Sequence, residues 1–436
     1  MRKNTAPSGY VADVAVVGGG LAGVAAAVAA ARSGAKTMLV EQHGCLGGMA
    51  TMGLVNPFMP HYRAGCGEPG EEVVRGVFAE ILDRLHRDAP LVHNAAWRGN
   101  TAFDSEALKW VLDELVLEAG AKVLFHAFLG GAGRGERGVT DIELVTKGGP
   151  RKVEAKVFVD ATGDADLAHL CGCRTTIGRE EDHRCQALTL MFRVSNVRTA
   201  ATPDRHACRE ILKRAIAEAR LRLFGKRTLL WFPYPGEGVV TFNQNEIAGR
   251  VALTAEDLTE AQFEGRRAIR ELFHFLRREV PGFENCRVDA IAPAMGVRET
   301  RRVVGAHVLT AEELLGQTRF DDTIACGAYP VDIHDPDGKR DIPMRRLPDG
   351  AYYEIPYGSL TALEVDNLLV AGRCLSATHE AAAAVRIMPI CTAMGQAAGT
   401  AAAMAASDDG RVRRVDVRDL RRRLAAARAF VGDRAD

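Results

Sequence analysis

Gly18, Gly20 and Gly23 stand in the spacing Gly-x-Gly-x-x-Gly, and Glu41 follows 18 positions after the last of them. These residue types at this spacing suit the diphosphate and ribose of a dinucleotide. Gly18 permits a tight turn. Gly20 lets the backbone approach a pyrophosphate at a helix N-terminus, with Leu21 and Ala22 in the first helical turn, and Gly23 allows the helix to lie close to a sheet. The Glu41 carboxylate can accept hydrogen bonds from ribose hydroxyls and would repel a 2′-phosphate. A second pattern, Gly133-x-Gly135-x-x-Gly138, precedes the strand-like run VTDIELV and is expected to be a loop tip.

Further segments select between dinucleotides. Gln42 and the loop Gly47-Gly48-Met49-Ala50 follow Glu41 closely. Ala161-Thr162-Gly163 ends a strand and is followed by Asp164 and Asp166, and Gly372-Arg373 ends another strand far along the chain. Phe128 and Ile390 complete the expected cofactor contacts, and Gly395 and Gly399 permit close backbone approach. A nucleotide domain assembled from both chain ends around an insert is typical of flavoproteins, so FAD is the expected cofactor. One credible fingerprint also argues against a second, nicotinamide domain.

The expected catalytic residues are His379, Arg298 and Arg386. His379 lies between the Gly372-Arg373 turn and a small-residue helix, and imidazole suits acid–base work near neutrality. A structural histidine bracing the turn is the competing reading. Arg298, with Arg301 beside it in GVRETRR, could clamp a substrate carboxylate or form a plain salt bridge to Glu299 or Glu380. Arg386 is a charge among apolar neighbours and needs a partner or the cavity. Tyr357 fits a packed tyrosine better than a cavity wall. His43 and Cys45 fall near the loop after Glu41, where a covalent flavin link is a minor reading. Cys171-Gly-Cys173, with His169 and His183, lacks zinc spacing, so no metal is expected.

The elements that position these residues follow from apolar patterning. Asp13-Val-Ala-Val-Val17 reads as a buried parallel strand, a helix ends near Gly34, and Lys36–Glu41 is the next strand, which makes one βαβ unit. Helices are expected near 71–87 and from Asp104 or Ser105 to Glu118, and strands at 122–126, 138–147 and 152–160. From about Cys171 to Pro356 the pattern is α+β, with the strands LTLMFRV, VVTFNQN and VDAIAPAM and helices at about 204–223 and 255–279. Thr254 and Thr310 read as helix caps. The chain then returns to a strand at 366–371, a helix from Pro389 to Ala406, and an amphipathic tail whose arginines are read as solvated. The expected fold class is α/β: a Rossmann-like FAD-binding domain in two parts, 10–170 and 357–410, an inserted α+β substrate domain at 171–356, and a C-terminal helix within 411–436.

Composition narrows the function. The 436 residues are 47% apolar and 26% charged, ordinary for a globular protein of two or three domains. Lysine plus arginine and aspartate plus glutamate each total 56, so no bulk charge points to nucleic acid. Ten cysteines without a CxxC pair suit a reducing, cytoplasmic location. The polar start has no apolar targeting core. The stretch Ala381–Ala406 holds Arg386, Pro389 and Gln396 and reads as a buried helix, not a membrane span.

The segments DVAVVGGGLAGVAAAVAAARSGAKTMLVEQHGCLGGMAT, VDATGDADLA, GVRETRRVVG and NLLVAGRCLSATHEAAAAVRIMPICTAMGQAAGTAAA together resemble a bacterial family of FAD-dependent oxidoreductases. That family is distantly similar to the flavoprotein subunits of fumarate reductase and succinate dehydrogenase. The resemblance implies hydride transfer at flavin N5, a small organic substrate and a separate electron acceptor, which the sequence does not name. It leaves homo-oligomerisation open. Disulfide reductases are disfavoured because Cys45 has Ala50 at the partner position. A flavin hydroxylase or halogenase, or a flavin-binding subunit with little activity, stays as the alternative.

Overall fold

The computed structural model describes residues 9–65, 70–94, 99–222 and 229–434. The first eight residues of the polar start, and Cys66 with most of the GCGEPG stretch, lie outside the described residues.

Strand Gly9–Val17 is paired on both sides, by Thr37–Val40 and by Arg151–Asp160, all parallel. Its alternate residues serve two layers: Val14 and Val16 enter one apolar core, while Ala15 and Val17 enter another. That explains a run apolar at every position. Lys122–Leu124 extends the sheet beyond Thr37–Val40. Strand Arg151–Asp160 divides its other edge. Residues 151–154 pair antiparallel with Gly138–Thr146, while residues 158–160 pair parallel with Leu368–Val370. A strand from the far end of the chain thus completes the parallel sheet. The Gly133–Gly138 pattern is a hairpin turn, with Gly135 opposite Gly138.

Helix Leu21–Arg32 covers this sheet together with helix Met388–Ala406, which begins one residue before the expected Pro389. The two helices meet backbone to backbone. A Cβ at Gly395 or Gly399 would collide with the carbonyl oxygen of Ala22 or Ala26, respectively. Glycine spaced by four residues faces alanine spaced by four residues, a complementarity that larger side chains destroy.

The inserted segment builds its own sheet in the order Trp231–Pro233, Val240–Phe242, Phe192–Ser195 and Arg287–Ile291. The helix Ala255–Glu279, capped by Thr254, lays Ala261, Ile269, Leu272, Phe275 and Leu276 on it. Phe192 and Phe242 stack with centroids 4.8 Å apart. The helix expected near 71–87 starts later, at Val77, after the left-handed Gly76. The tail helix Val417–Ala426 buries Leu420 and Leu424 as expected. Arg421 corrects the reading of a solvated arginine face. It is 3% exposed and donates to the carbonyls of Thr323 and Val431. No helix among the described residues is long and apolar enough to cross a membrane.

The helix contact yields a prediction. Gly399→Ala should cost about 1–3 kcal/mol, the usual cost of overpacking. Denaturant unfolding should show a lower midpoint at unchanged slope, and an unchanged midpoint would contradict the packing argument.

Candidate active site

One cavity of about 750 Å3 runs between the parallel sheet's carboxyl ends and the inserted domain. Its size falls within the range of small-molecule sites. The glycine wall comes first. Gly18 has φ of 101°, and a Cβ there would strike the Ala161 carbonyl, so the turn itself requires glycine. Gly20 is different: a Cβ there would meet nothing within 4 Å, because it would enter the cavity. Gly20 is also the N-cap of helix Leu21–Arg32, and its side offers helix N–H groups to an anion. Gly48 has φ of 52° and lies against Gly20, which closes the cradle.

The acidic residue at the second strand's end is buried. Glu41 accepts from the Gly19 N–H at 2.6 Å and the His43 N–H at 2.7 Å. Each carboxylate oxygen retains a further lone pair for a hydroxyl. Leu21, Ala22, Gln42, Gly47, Met49 and Phe128 also line the cavity. So do Ala161, Thr162, Gly163, Gly372 and Arg373. Arg373 is held by the Asp164 carboxylate at 2.8 Å and the Val297 carbonyl at 2.8 Å. Asp166 shares this end. Burial, then the charges of Asp164 and Asp160, push its carboxyl up to about 6. This set of donors at one turn and carboxylates beyond it suits a molecule with phosphates at one place and hydroxyls at another. The residues present therefore fit FAD.

Three expected cofactor contacts are corrected. Gly23 does not line the cavity; a Cβ there would strike the Gly18 carbonyl, so its glycine serves the turn. Ala50 and Ile390 are fully buried and lie outside the lining, Ile390 against Gly327. His43 lines the cavity, whereas Cys45 does not.

The opposite wall is polar and cationic. Arg298 is 8% exposed and donates to the Ala187 carbonyl and, at 3.2 Å, to Asn243 Oδ1. Burial, then the charge of Arg386, pull its guanidinium down to about 10. Arg386 reaches the Asp332 carbonyl at 3.2 Å and Gln186 Oε1 at 3.5 Å, and its Nε is buried without a partner. Among the described residues neither guanidinium forms an ion pair with a carboxylate.

Sequence reasoning missed three residues on this wall. His334 Nδ1 lies 2.9 Å from Glu246 Oε1, and its Nε2 lies 3.7 Å from Asp332. The Tyr329 hydroxyl donates to Asp332 Oδ2 at 2.8 Å. Burial, then the charge of Arg298, hold His334 below the ordinary imidazole range. Burial pushes the Asp332 carboxyl up, but the nearby His334 and Arg386 outweigh it and hold the group low. Burial also keeps Tyr329 protonated. The available signal was Tyr329-x-x-Asp332-x-His334, a run of polar chemistry in a loop between two short strands.

His379 is the main correction. It lies outside the cavity lining and is 4% exposed. Thr378 caps a helix over His379–Val385, and this turns the ring toward Glu299, with Nδ1 2.9 Å from a carboxylate oxygen. Glu299 also pairs with Arg302 and accepts from the Gln186 N–H at 3.0 Å. Arg301 pairs with Asp166 instead. His379 thus braces a buried network behind the polar wall. Tyr357 is likewise buried, donating to the Val412 carbonyl at 2.8 Å.

No curated protein matches the chain. Among solved structures, a geranylgeranyl bacteriochlorophyll reductase-like protein from Thermoplasma acidophilum is 13% identical with a TM-score of 0.47, over 96% of this chain and 84% of that one. The p-nitrophenol 4-monooxygenase from Pseudomonas putida is 11% identical with a TM-score of 0.45, over 98% of this chain and 100% of that one. The flavin-dependent brominase Bmp2 is 11% identical with a TM-score of 0.45, over 96% and 83%. The family described as FAD dependent oxidoreductase matches residues 13–424, nearly the whole chain, and the protein belongs to it.

Proposed function

We propose that this FAD-dependent oxidoreductase is a dehydrogenase or reductase of a small organic acid. The observation that carries the reading is the convergence of Arg298, Arg386, His334 and Tyr329 on the wall facing the glycine turns. FAD, when bound, supplies the two-electron acceptor or donor for hydride.

The chain's own residues then have separable tasks. Arg298 and Arg386 bind and orient a carboxylate, which gives buried Arg298 and half-buried Arg386 an ion-pair partner. Glu246 accepts from Nδ1–H of His334 and so selects the tautomer whose Nε2 carries the lone pair. Nε2 takes the substrate proton, or returns it in the reverse direction. Asp332, a carboxylate fixed by Tyr329, stabilises the imidazolium formed. The apolar rest of the cavity excludes water.

Two experiments follow. Gly20 has extended backbone, with φ of −64°, and open space beside it. Gly20→Val should therefore fold, melt like wild-type apoprotein and lose FAD at least tenfold, whereas Gly18→Val should fail to fold. Full FAD occupancy in Gly20→Val would contradict the cradle.

The second concerns protons. An anaerobic screen of carboxylates, hydroxy acids, amines and unsaturated acids for flavin bleaching identifies a substrate. With it, His334→Ala should slow flavin reduction by ~10²–10⁴-fold at full FAD content. His334 must be neutral to accept a proton and its ionisation lies below the usual imidazole range. The wild-type rate should hold at neutral pH and fall on acidification below about 6.5. His379→Ala should instead lower stability by about 1–3 kcal/mol, since it removes a partner from buried Glu299. A pH profile unchanged in His334→Ala would sink this assignment.

A further inference from the structure

Six of the chain's eleven methionines line this one cavity: Met49, Met52, Met59, Met191, Met295 and Met388. The cores elsewhere are built mainly from Val, Leu, Ala and Phe. Met49 and Met52 belong to the loop after the Gly47-Gly48 turn. The other four lie outside the glycine segments and face the chamber with Leu258 of the inserted domain's long helix. Methionine is unbranched and polarizable, and it adapts to apolar ligands of varied shape.

The placement of the two cations is the second observation. Met295 and Val297 immediately precede Arg298 along the lining, and Ile387 and Met388 immediately follow Arg386. Each arginine is thus flanked along the chain by apolar lining residues, and the buried Arg386 Nε has no acceptor. A short polar acid would satisfy the cations and leave the methionine surface in contact with water. An apolar molecule without charge would fill the chamber and leave the Arg386 Nε without an acceptor.

We infer that the ligand of this chamber is an amphipathic acid: a carboxylate seated between Arg298 and Arg386, attached directly to an aliphatic or aromatic body lying on the methionine wall. The inference rests on the proposed function in taking this cavity as the substrate chamber and Arg298 and Arg386 as its carboxylate site.

The test needs binding and no turnover. Holoenzyme is titrated with acetate, butanoate, hexanoate and octanoate, and with octanol and succinate. Perturbation of flavin absorbance and the rise in melting temperature are read together. Affinity should climb about fourfold per added methylene. Octanol should bind at least ~10-fold more weakly than octanoate, as expected for loss of a charge-assisted pair. Arg386→Gln, at unchanged FAD content, should bring octanoate to the level of octanol. Met59→Gln should flatten the chain-length series and leave acetate unchanged. A flat series, a preference for succinate, or octanol binding as tightly as octanoate would each overturn the inference. A flat series alongside bleaching by a short polar acid would overturn it and leave the hydride reading standing. A steep series in an enzyme whose flavin no acid bleaches would uphold it and count against the hydride reading.

Discussion

The carbonyl oxygens of Ala22 and Ala26 occupy the space that any side chain at positions 395 and 399 would need. This contact presses the last long helix of the chain onto the helix that begins at the nucleotide turn. Much else follows from it. The strand Leu368–Val370 lies beside residues 158–160, and that places Gly372-Arg373 next to Ala161-Thr162-Gly163. Arg373 then reaches Asp164, and Arg386 arrives at the far wall of the cavity. The two ends of the chain form one wall of the cavity because two helices approach at backbone distance.

The cavity is divided by polarity. Its sheet side carries backbone N–H groups, Glu41, Asp164 and Asp166, which suit phosphate and hydroxyl groups at different points. Its far side carries Arg298 and Arg386, with His334 kept neutral by burial and by the charge of Arg298. The same burial that depresses Arg298 also depresses His334, so one desolvated pocket weakens the hold of both groups on their protons. Behind it, Glu299 ties His379, Arg302 and the Gln186 backbone together and holds the wall in place.

Residues whose function lies in the backbone were the most legible. Gly18 and Gly48 are required by a turn or a close approach, and Gly20 leaves the cavity open beside the helix start, demands that show directly in residue type. The parallel strand at 13–17 was legible because it is apolar at consecutive positions. Of the polar wall only Arg298 and Arg386 were, since residues 186, 246 and 329–334 join them from separate elements with no shared periodicity. His379 shows the limit clearly. It lies seven positions after Gly372, and nearness in sequence suggested nearness to the chamber. A helix capped at Thr378 turns the ring the other way. Arg421 misled for a related reason, because one position of an arginine-rich helix faces inward.

With one nucleotide fingerprint, at Gly18–Gly23, the flavin should exchange electrons with partners other than a nicotinamide. Anaerobic mixing of the yellow holoenzyme with NADH or NADPH, followed at the flavin absorbance, tests this most directly. The account predicts slow reduction whose rate rises linearly with nicotinamide and shows no saturation. Fast stoichiometric reduction saturating at micromolar NADH or NADPH would contradict it.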